Sequence, residues 1–201
     1  LSKKIKTIQE MDRPTTTTEV RRFIGMVQYY RDMWPKRSHI LAPLTDASSS
    51  KNKKNFKWTP EMDKAFIQMK QLIAQETLLA FPGWSKPFDV FTDSSDYQLG
   101  GVIQQEGKPL AFNSRKLNKA QKNYTIEEKE LLGIVETLKE FKGMLLGYQI
   151  NVFTDHLNLV HETTLKASDR VMRWKLLLEE FGITTTHVKG EHNVIADAIS
   201  R

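Results

Sequence analysis

Asp93 and Asp155 each close a β-rich run with the same tripeptide. Phe91-Thr92-Asp93 lies inside FDVFTDSSDYQLGG, residues 88–101, and Phe153-Thr154-Asp155 ends the run that starts at Ile150. A carboxylate at the end of a buried strand is costly unless something compensates it, and a divalent cation is the usual compensation. Taken singly, each aspartate reads more readily as a turn or helix-capping residue. Taken together, with matching residues before them, they point to a metal-dependent enzyme.

Further acids lie downstream. Glu127, Glu128 and Glu130 open one helical pattern. Glu128 completes a capping box with Thr125. Glu127 falls in the first turn, and Glu130 borders the apolar stripe of Ile134, Leu138 and Phe141. Periodicity does not choose among the three, and an acidic first turn that favours the helix dipole is the plain alternative. Asp197 sits between Val194, Ile195 and Ala198, and His192 precedes it by five residues. With no cysteine, thiolate metal sites, disulfides and a cysteine nucleophile are excluded.

The elements that must position these groups are legible from periodicity and punctuation. A capping box at Thr16 and Glu19 opens a helix expected over 16–33, stopped by Pro35. A short stretch over 40–44 is expected to break at Pro43. Residues 48–54 (SSSKNKK) read as a linker and the main boundary. Thr59-Pro60 starts a helix that ends near Gln75. Strands follow over 87–93, 100–105 and 109–114, the last two joined at Glu106-Gly107-Lys108. A helix is expected over 125–146, a strand over 150–154, a helix over 169–181, a strand over 183–188 and a short helix over 191–200. Strands in a meander followed by alternating helices and strands give an α/β fold. Its mixed five-stranded sheet is flanked by helices and preceded by a small helical segment.

Charge is unevenly placed. Residues 1–60 hold 13 Lys/Arg against 5 Asp/Glu, whereas the remainder holds 17 against 19. The basic N-terminal part suits a nucleic-acid footprint, and the near-neutral remainder with clustered acids suits metal binding. No apolar run is long enough to cross a bilayer, so no membrane partner is expected. The chain begins at Leu1 rather than Met, which fits a fragment or a processed product.

Several stretches together resemble one family. The run from PFDVFTDSSDYQLGG through NYTIEEKELLGIVETLKEF, with VFTDHLNL and VKGEHNVIADAISR, is similar to the ribonuclease H domain of gypsy-type LTR retrotransposon and retroviral polyproteins. The upstream PTTTTEVRRFIGMVQYYRDMWPKRSHILAPLTD resembles the end of the reverse transcriptase that precedes this domain, and FKWTPEMDKAFIQMKQLI its connecting helix. The resemblance implies a division into 1–50 (thumb or connection end), 51–85 (connecting helix) and 86–201 (catalytic domain).

It also implies a magnesium-dependent endoribonuclease that cuts the RNA strand of RNA:DNA hybrids during reverse transcription. Two Mg2+ ions, replaceable by Mn2+, would be held by Asp93, Glu130, Asp155 and Asp197. Here the family selects Glu130, which periodicity left open. Asp93 would bridge both ions, with Glu130 and Asp155 on one and Asp197 on the other. His192 is a candidate for helping protons or product leave, and His156 a structural neighbour of Asp155. Candidate nucleic-acid contacts are Ser94, Asn113, Ser114, Arg115 and Lys116, with Arg21 and Arg22 upstream. Lys119 to Asn123 is a further basic loop. The implied partners are the hybrid and the rest of the reverse transcriptase polyprotein. The implied location is cytoplasmic, within virus-like particles, with the nucleus as the alternative. No Tyr-x-Asp-Asp motif occurs, so no polymerase activity is expected of this stretch alone. Two other readings compete: a domesticated module that binds nucleic acid or a polymerase without cutting, and a DNA-cutting integrase-type enzyme.

Overall fold

A computed structural model describes residues 8, 10–49, 56–74, 79–155 and 168–188. Asp197, His192, His156 and the expected helix over 191–200 lie outside the described residues. Two compact units divide at Thr77/Leu78. The expected connecting segment is thus split: its helix belongs to the first unit.

Among its described residues that unit has three α-helices: α1 (Thr17–Tyr29), α2 (Arg37–Ser49) and α3 (Pro60–Ala74). Thr16 caps α1 by accepting from the Glu19 N–H, while Glu19 reaches back to the Thr15 N–H at 2.7 Å. The helix ends at Tyr29, and a short 3-10 turn over Arg31–Met33 takes up the rest of the expected span. Between Ser38 and Ser48 the expectation of a broken stretch fails. Pro43 sits inside α2. Proline removes one N–H, but Leu41 and Leu44 are buried by the helical geometry, and their packing outweighs the lost bond. The Phe23 ring packs tilted, at 4.7 Å, against Phe66 of α3, within a core shared with Val20, Val27, Trp34 and Met69.

The second unit is built on a five-stranded sheet of order β3-β2-β1-β4-β5. Its strands are β1 (Phe88–Ser94), β2 (Gln98–Gln105), β3 (Lys108–Lys116), β4 (Ile150–Thr154) and β5 (Thr184–His187). The first three form an antiparallel meander; β4 adds parallel to β1, and β5 parallel to β4. Glu106 and Gly107 both take positive φ, 51° and 76°, which closes the β2–β3 hairpin with a two-residue turn.

Its described helices are α4 (Ile126–Glu140), α5 (Lys142–Leu145) and α6 (Asp169–Phe181). The long helix expected over 125–146 is interrupted at Phe141, whose φ of −107° leaves helical geometry. Phe141 and Leu145 both turn into the core. One face of β1 and β4 (Phe88, Val90, Ile150, Val152) packs with Ile134 and Leu138 of α4. Strand alternation places Asp89, Phe91 and Asp93 on the other parity. No described helix is long and apolar enough to cross a membrane.

Candidate active site

Because β1 and β4 run parallel, their carboxyl ends emerge at the same edge of the sheet. In open α/β sheets that edge is where ligands bind. The last registered pair is Phe91 with Phe153, whose rings stack at 4.5 Å and 10°. Asp93 and Asp155 each lie two residues further on, so the register sets them side by side. Asp89 and Asn151, two residues earlier, share a 2.9 Å hydrogen bond and fix the same alignment.

Helix α4 brings the third acid. Thr125 and Glu128 form both halves of a capping box, so Glu128 has a structural task. Glu127 is exposed. Glu130 is 2 % exposed. Its carboxyl is pushed up to about 9, first by burial, then by the negative charges of Asp93 and Asp155. A single hydrogen bond from the Ser94 N–H to Oε1, 3.1 Å, works the other way. The geometry thereby agrees with the residue the family resemblance selected.

Ser94 joins the two acids. Its N–H is shared between Asp93 Oδ1 at 2.9 Å and Glu130 Oε1. Its hydroxyl donates to the Lys129 carbonyl at 2.9 Å. Gly133 makes room for this clip, since a Cβ there would stand 2.8 Å from Ser94 Oγ. On the other side of the loop, the largely buried Lys129 ammonium pairs with Asp96 Oδ1 at 2.7 Å. The hydrogen bond and charge of Lys129 hold the Asp96 carboxyl below its usual range. Asp96 thus ties the β1–β2 loop to α4.

One neighbour was missed by sequence reasoning. His187 ends β5, opposite Thr154, and its Nε2 lies 3.2 Å from the Asp155 carbonyl oxygen. His192, the histidine that the family resemblance offers, lies outside the described residues. The pairing of β5 with β4, which sequence does not show, puts His187 beside an acid of the site.

The expected nucleic-acid contacts separate. Asn113 and Ser114 are buried, and Asn113 Nδ2 donates to Thr137 Oγ1 at 2.9 Å. Asn113 thus faces α4, and the alternation of β3 turns Ser114 to the opposite face of the sheet. Arg115 pairs with Glu136 at 2.7 Å and is partly exposed, as is Lys116. In the first unit, Arg21 donates to the Ser48 carbonyl at 2.6 Å and so caps α2, while Arg22 is exposed.

A latch secures the start of α4. Arg170 of α6 pairs with Glu128 at 2.7 Å, and its guanidinium carbon stands 3.8 Å from the Tyr124 ring centre. Such stacked, partly desolvated pairs contribute about 1–2 kcal/mol. Arg170→Ala is expected to lower unfolding stability by that amount in urea titration, with Arg170→Lys recovering only part of it because a point charge cannot stack as a plane.

Glu130 Oε2 is buried with no hydrogen-bond partner. Once ionised by a bound cation, that carboxylate, close to the charges of Asp93 and Asp155, would match the hard oxygen donors that magnesium prefers. Among the described residues, no group of three or more His, Cys, Asp or Glu side chains is arranged to hold a metal ion.

Residues 83–181 match the family model described as the RNase H-like domain found in reverse transcriptase. The C-terminal unit is an RNase H-like domain of the reverse-transcriptase kind. Relatives extend the likeness over nearly the whole chain. It is 37 % identical over 199 residues to the retrovirus-related Pol polyprotein from transposon 297 of Drosophila melanogaster, covering 98 % of this chain and 19 % of that one. To the Pol polyprotein from transposon opus of the same species it is 34 % identical over 214 residues, covering 99 % and 21 %. The chain therefore spans about a fifth of the length of these relatives. Among solved structures, a foamy viral protease-reverse transcriptase in complex with an RNA/DNA hybrid superposes with a TM-score of 0.82. That match is 24 % identical and covers 94 % of this chain and 27 % of that one, a likeness of fold. The mixed five-stranded sheet flanked by helices is the architecture expected from sequence, while its strand order and the parallel β1–β4 pair come from the structure.

Proposed function

We propose that this chain is the ribonuclease H part of a retroelement polyprotein and hydrolyses the RNA strand of RNA:DNA hybrids. One observation carries the reading: Glu130 is buried, short of a partner at Oε2, and raised by the charges of Asp93 and Asp155. Nothing in the fold requires an acid there, and an apolar residue would cost less. The relatives are Pol polyproteins, and the foamy viral neighbour was solved with a hybrid bound, which fits the same substrate class.

Asp93, Glu130 and Asp155 would hold the divalent ions, with Asp197 as a fourth ligand. Two bound magnesium ions supply an activated water and neutralise the leaving oxygen. The protein's own part is placement. The parallel strands set Asp93 beside Asp155, and Ser94 holds Glu130 against Asp93. The 2′-hydroxyl of the RNA strand is the group that distinguishes it from DNA. Phosphate contacts position the duplex without reading sequence, so binding is expected to weaken as salt rises.

Incubation of a labelled hybrid with magnesium tests the reading. The parent should cut the RNA strand, and Asp155→Asn should cut at least about a hundredfold more slowly. Equal rates for the two would mean the site is misassigned. We also expect His187→Ala to lower kcat about tenfold or more while leaving hybrid affinity unchanged, as for a group that moves protons. An unchanged kcat would return His187 to a purely structural part. The competing reading is a nucleic-acid- or polymerase-binding module that does not cut. Tight hybrid binding with no cleavage in magnesium or manganese would select it.

A further inference from the structure

The β1–β2 loop carries an aromatic ring that the fold does not use. Tyr97 is 64 % exposed. Loop tips usually expose such side chains by being loose, but this loop is braced on every side. The Ser95 N–H donates to the Gln98 carbonyl at 2.9 Å. Ser95 Oγ accepts from the N–H groups of Tyr97 and Gln98 at 3.3 and 3.1 Å. The Leu117 N–H donates to the Tyr97 carbonyl at 2.8 Å, tying the loop to the end of β3. Asp96, its neighbour, is held by Lys129. The backbone under Tyr97 is therefore fixed while its ring faces water.

Charge surrounds the ring. Lys122 Nζ lies 5.1 Å from its centre. Lys119 is exposed in the same connection, and Lys116 stands opposite Gln98 in the β2–β3 register. The acids nearest to Tyr97 in the chain are Asp96, already paired with Lys129, and Asp93 of the carboxylate site. Tyr97 follows Asp93 by four residues, so the ring belongs to the sheet edge that presents the carboxylates.

We propose that Tyr97 and Lys122 form a contact for the hybrid duplex beside the carboxylate site, the ring lying against a sugar and the ammonium on a phosphate. A rigid aromatic with a cation at its edge is the combination that tracks a nucleic-acid backbone without reading bases. This proposal rests on the nuclease reading for its substrate but is measured separately from it. Both residues touch substrate only, so their loss should raise KM and spare kcat.

The test uses the full chain and a fluorescein-labelled RNA:DNA hybrid, with Tyr97→Ala, Tyr97→Phe and Lys122→Ala. Anisotropy in calcium reports binding, and cleavage in magnesium reports turnover. Tyr97→Ala and Lys122→Ala are expected to weaken binding about five- to tenfold. Lys122→Ala should also reduce the salt slope by about one. Tyr97→Phe should bind nearly as the parent. Melting temperatures should not move, since both side chains are exposed. Variants that match the parent's affinity and KM within about twofold would overturn the contact, as would a parent that binds no hybrid. A parent that binds through Tyr97 but never cuts would support the contact and fail the nuclease reading. A parent that cuts with unaffected variants would do the reverse.

Discussion

Glu130→Gln is expected to produce a more stable protein that no longer cuts. In the metal-free fold the Glu130 carboxyl titrates at about 9 instead of 4.5, so across that window the folded chain keeps a proton that the unfolded chain has released. Stability is then full below about pH 4.5 and declines as pH rises towards 9, by up to about 1.4 kcal/mol per pH unit. Burial first, and then the negative charges of Asp93 and Asp155, hold the proton on Glu130. A glutamine keeps the shape and removes the charge. Thermal unfolding in chelator should show the parent losing stability from pH 5 to 9, with a much flatter profile for Glu130→Gln. The gain at pH 7 is expected to be on the order of 2–3 kcal/mol. Magnesium should raise the parent's melting temperature at pH 8 and leave the variant's unchanged. Hybrid cleavage should drop by about a thousandfold or more. Equal pH profiles for the two proteins would show that the carboxyl is not buried as described.

The other large effect concerns how closely α4 approaches the sheet. A Cβ added at Gly101 would stand 2.6 Å from Thr137 Oγ1 and 3.2 Å from its Cγ2, with Asn113 Cβ next at 3.5 Å. Gly101→Ala is therefore expected to cost about 1–3 kcal/mol, since neither the sheet nor the helix can yield without disturbing its neighbours. Thr137→Ala removes both offending atoms. It also leaves the buried Asn113 amide without its acceptor, which costs about 1–3 kcal/mol by itself. In the Thr137→Ala background the Gly101→Ala penalty should largely vanish, because the remaining contact at 3.5 Å is ordinary. Urea unfolding of the four proteins would give a coupling of at least about 1 kcal/mol. Additive costs would mean that the helix and sheet shift to absorb the methyl group. Because α4 also carries Glu130, Gly101→Ala should reduce cleavage as well as stability.

Much of the frame was legible in the chain. The Thr125 capping box, the Glu106-Gly107 hairpin and the Ser168 to Gly182 limits of α6 are local chemistry, and they appear where sequence placed them. One misreading has a physical cause. Local propensity makes Pro43 a break, yet burial of Leu41 and Leu44 keeps α2 helical through Ser49. Packing against α1 and α3 is not visible in a residue's own neighbours. The interruption at Phe141 was hidden for the same reason: its ring and Leu145 are drawn into the core.

For the site, sequence by itself determined that two strands end in Phe-Thr-Asp and that three glutamates open one helix. Those are facts of order and spacing along one chain. Only the tertiary structure decided what the acids meet. Parallel pairing of β1 with β4 set Asp93 beside Asp155. The tight seat of α4, permitted at Gly101 and Gly133, buried Glu130 between them rather than Glu127 or Glu128. The addition of β5 brought His187 to Asp155, and the fold of the β1–β2 loop left Tyr97 facing outward. Burial and charge repulsion are properties of separation in space, and residues 93, 130, 155 and 187 become neighbours only when the sheet is assembled.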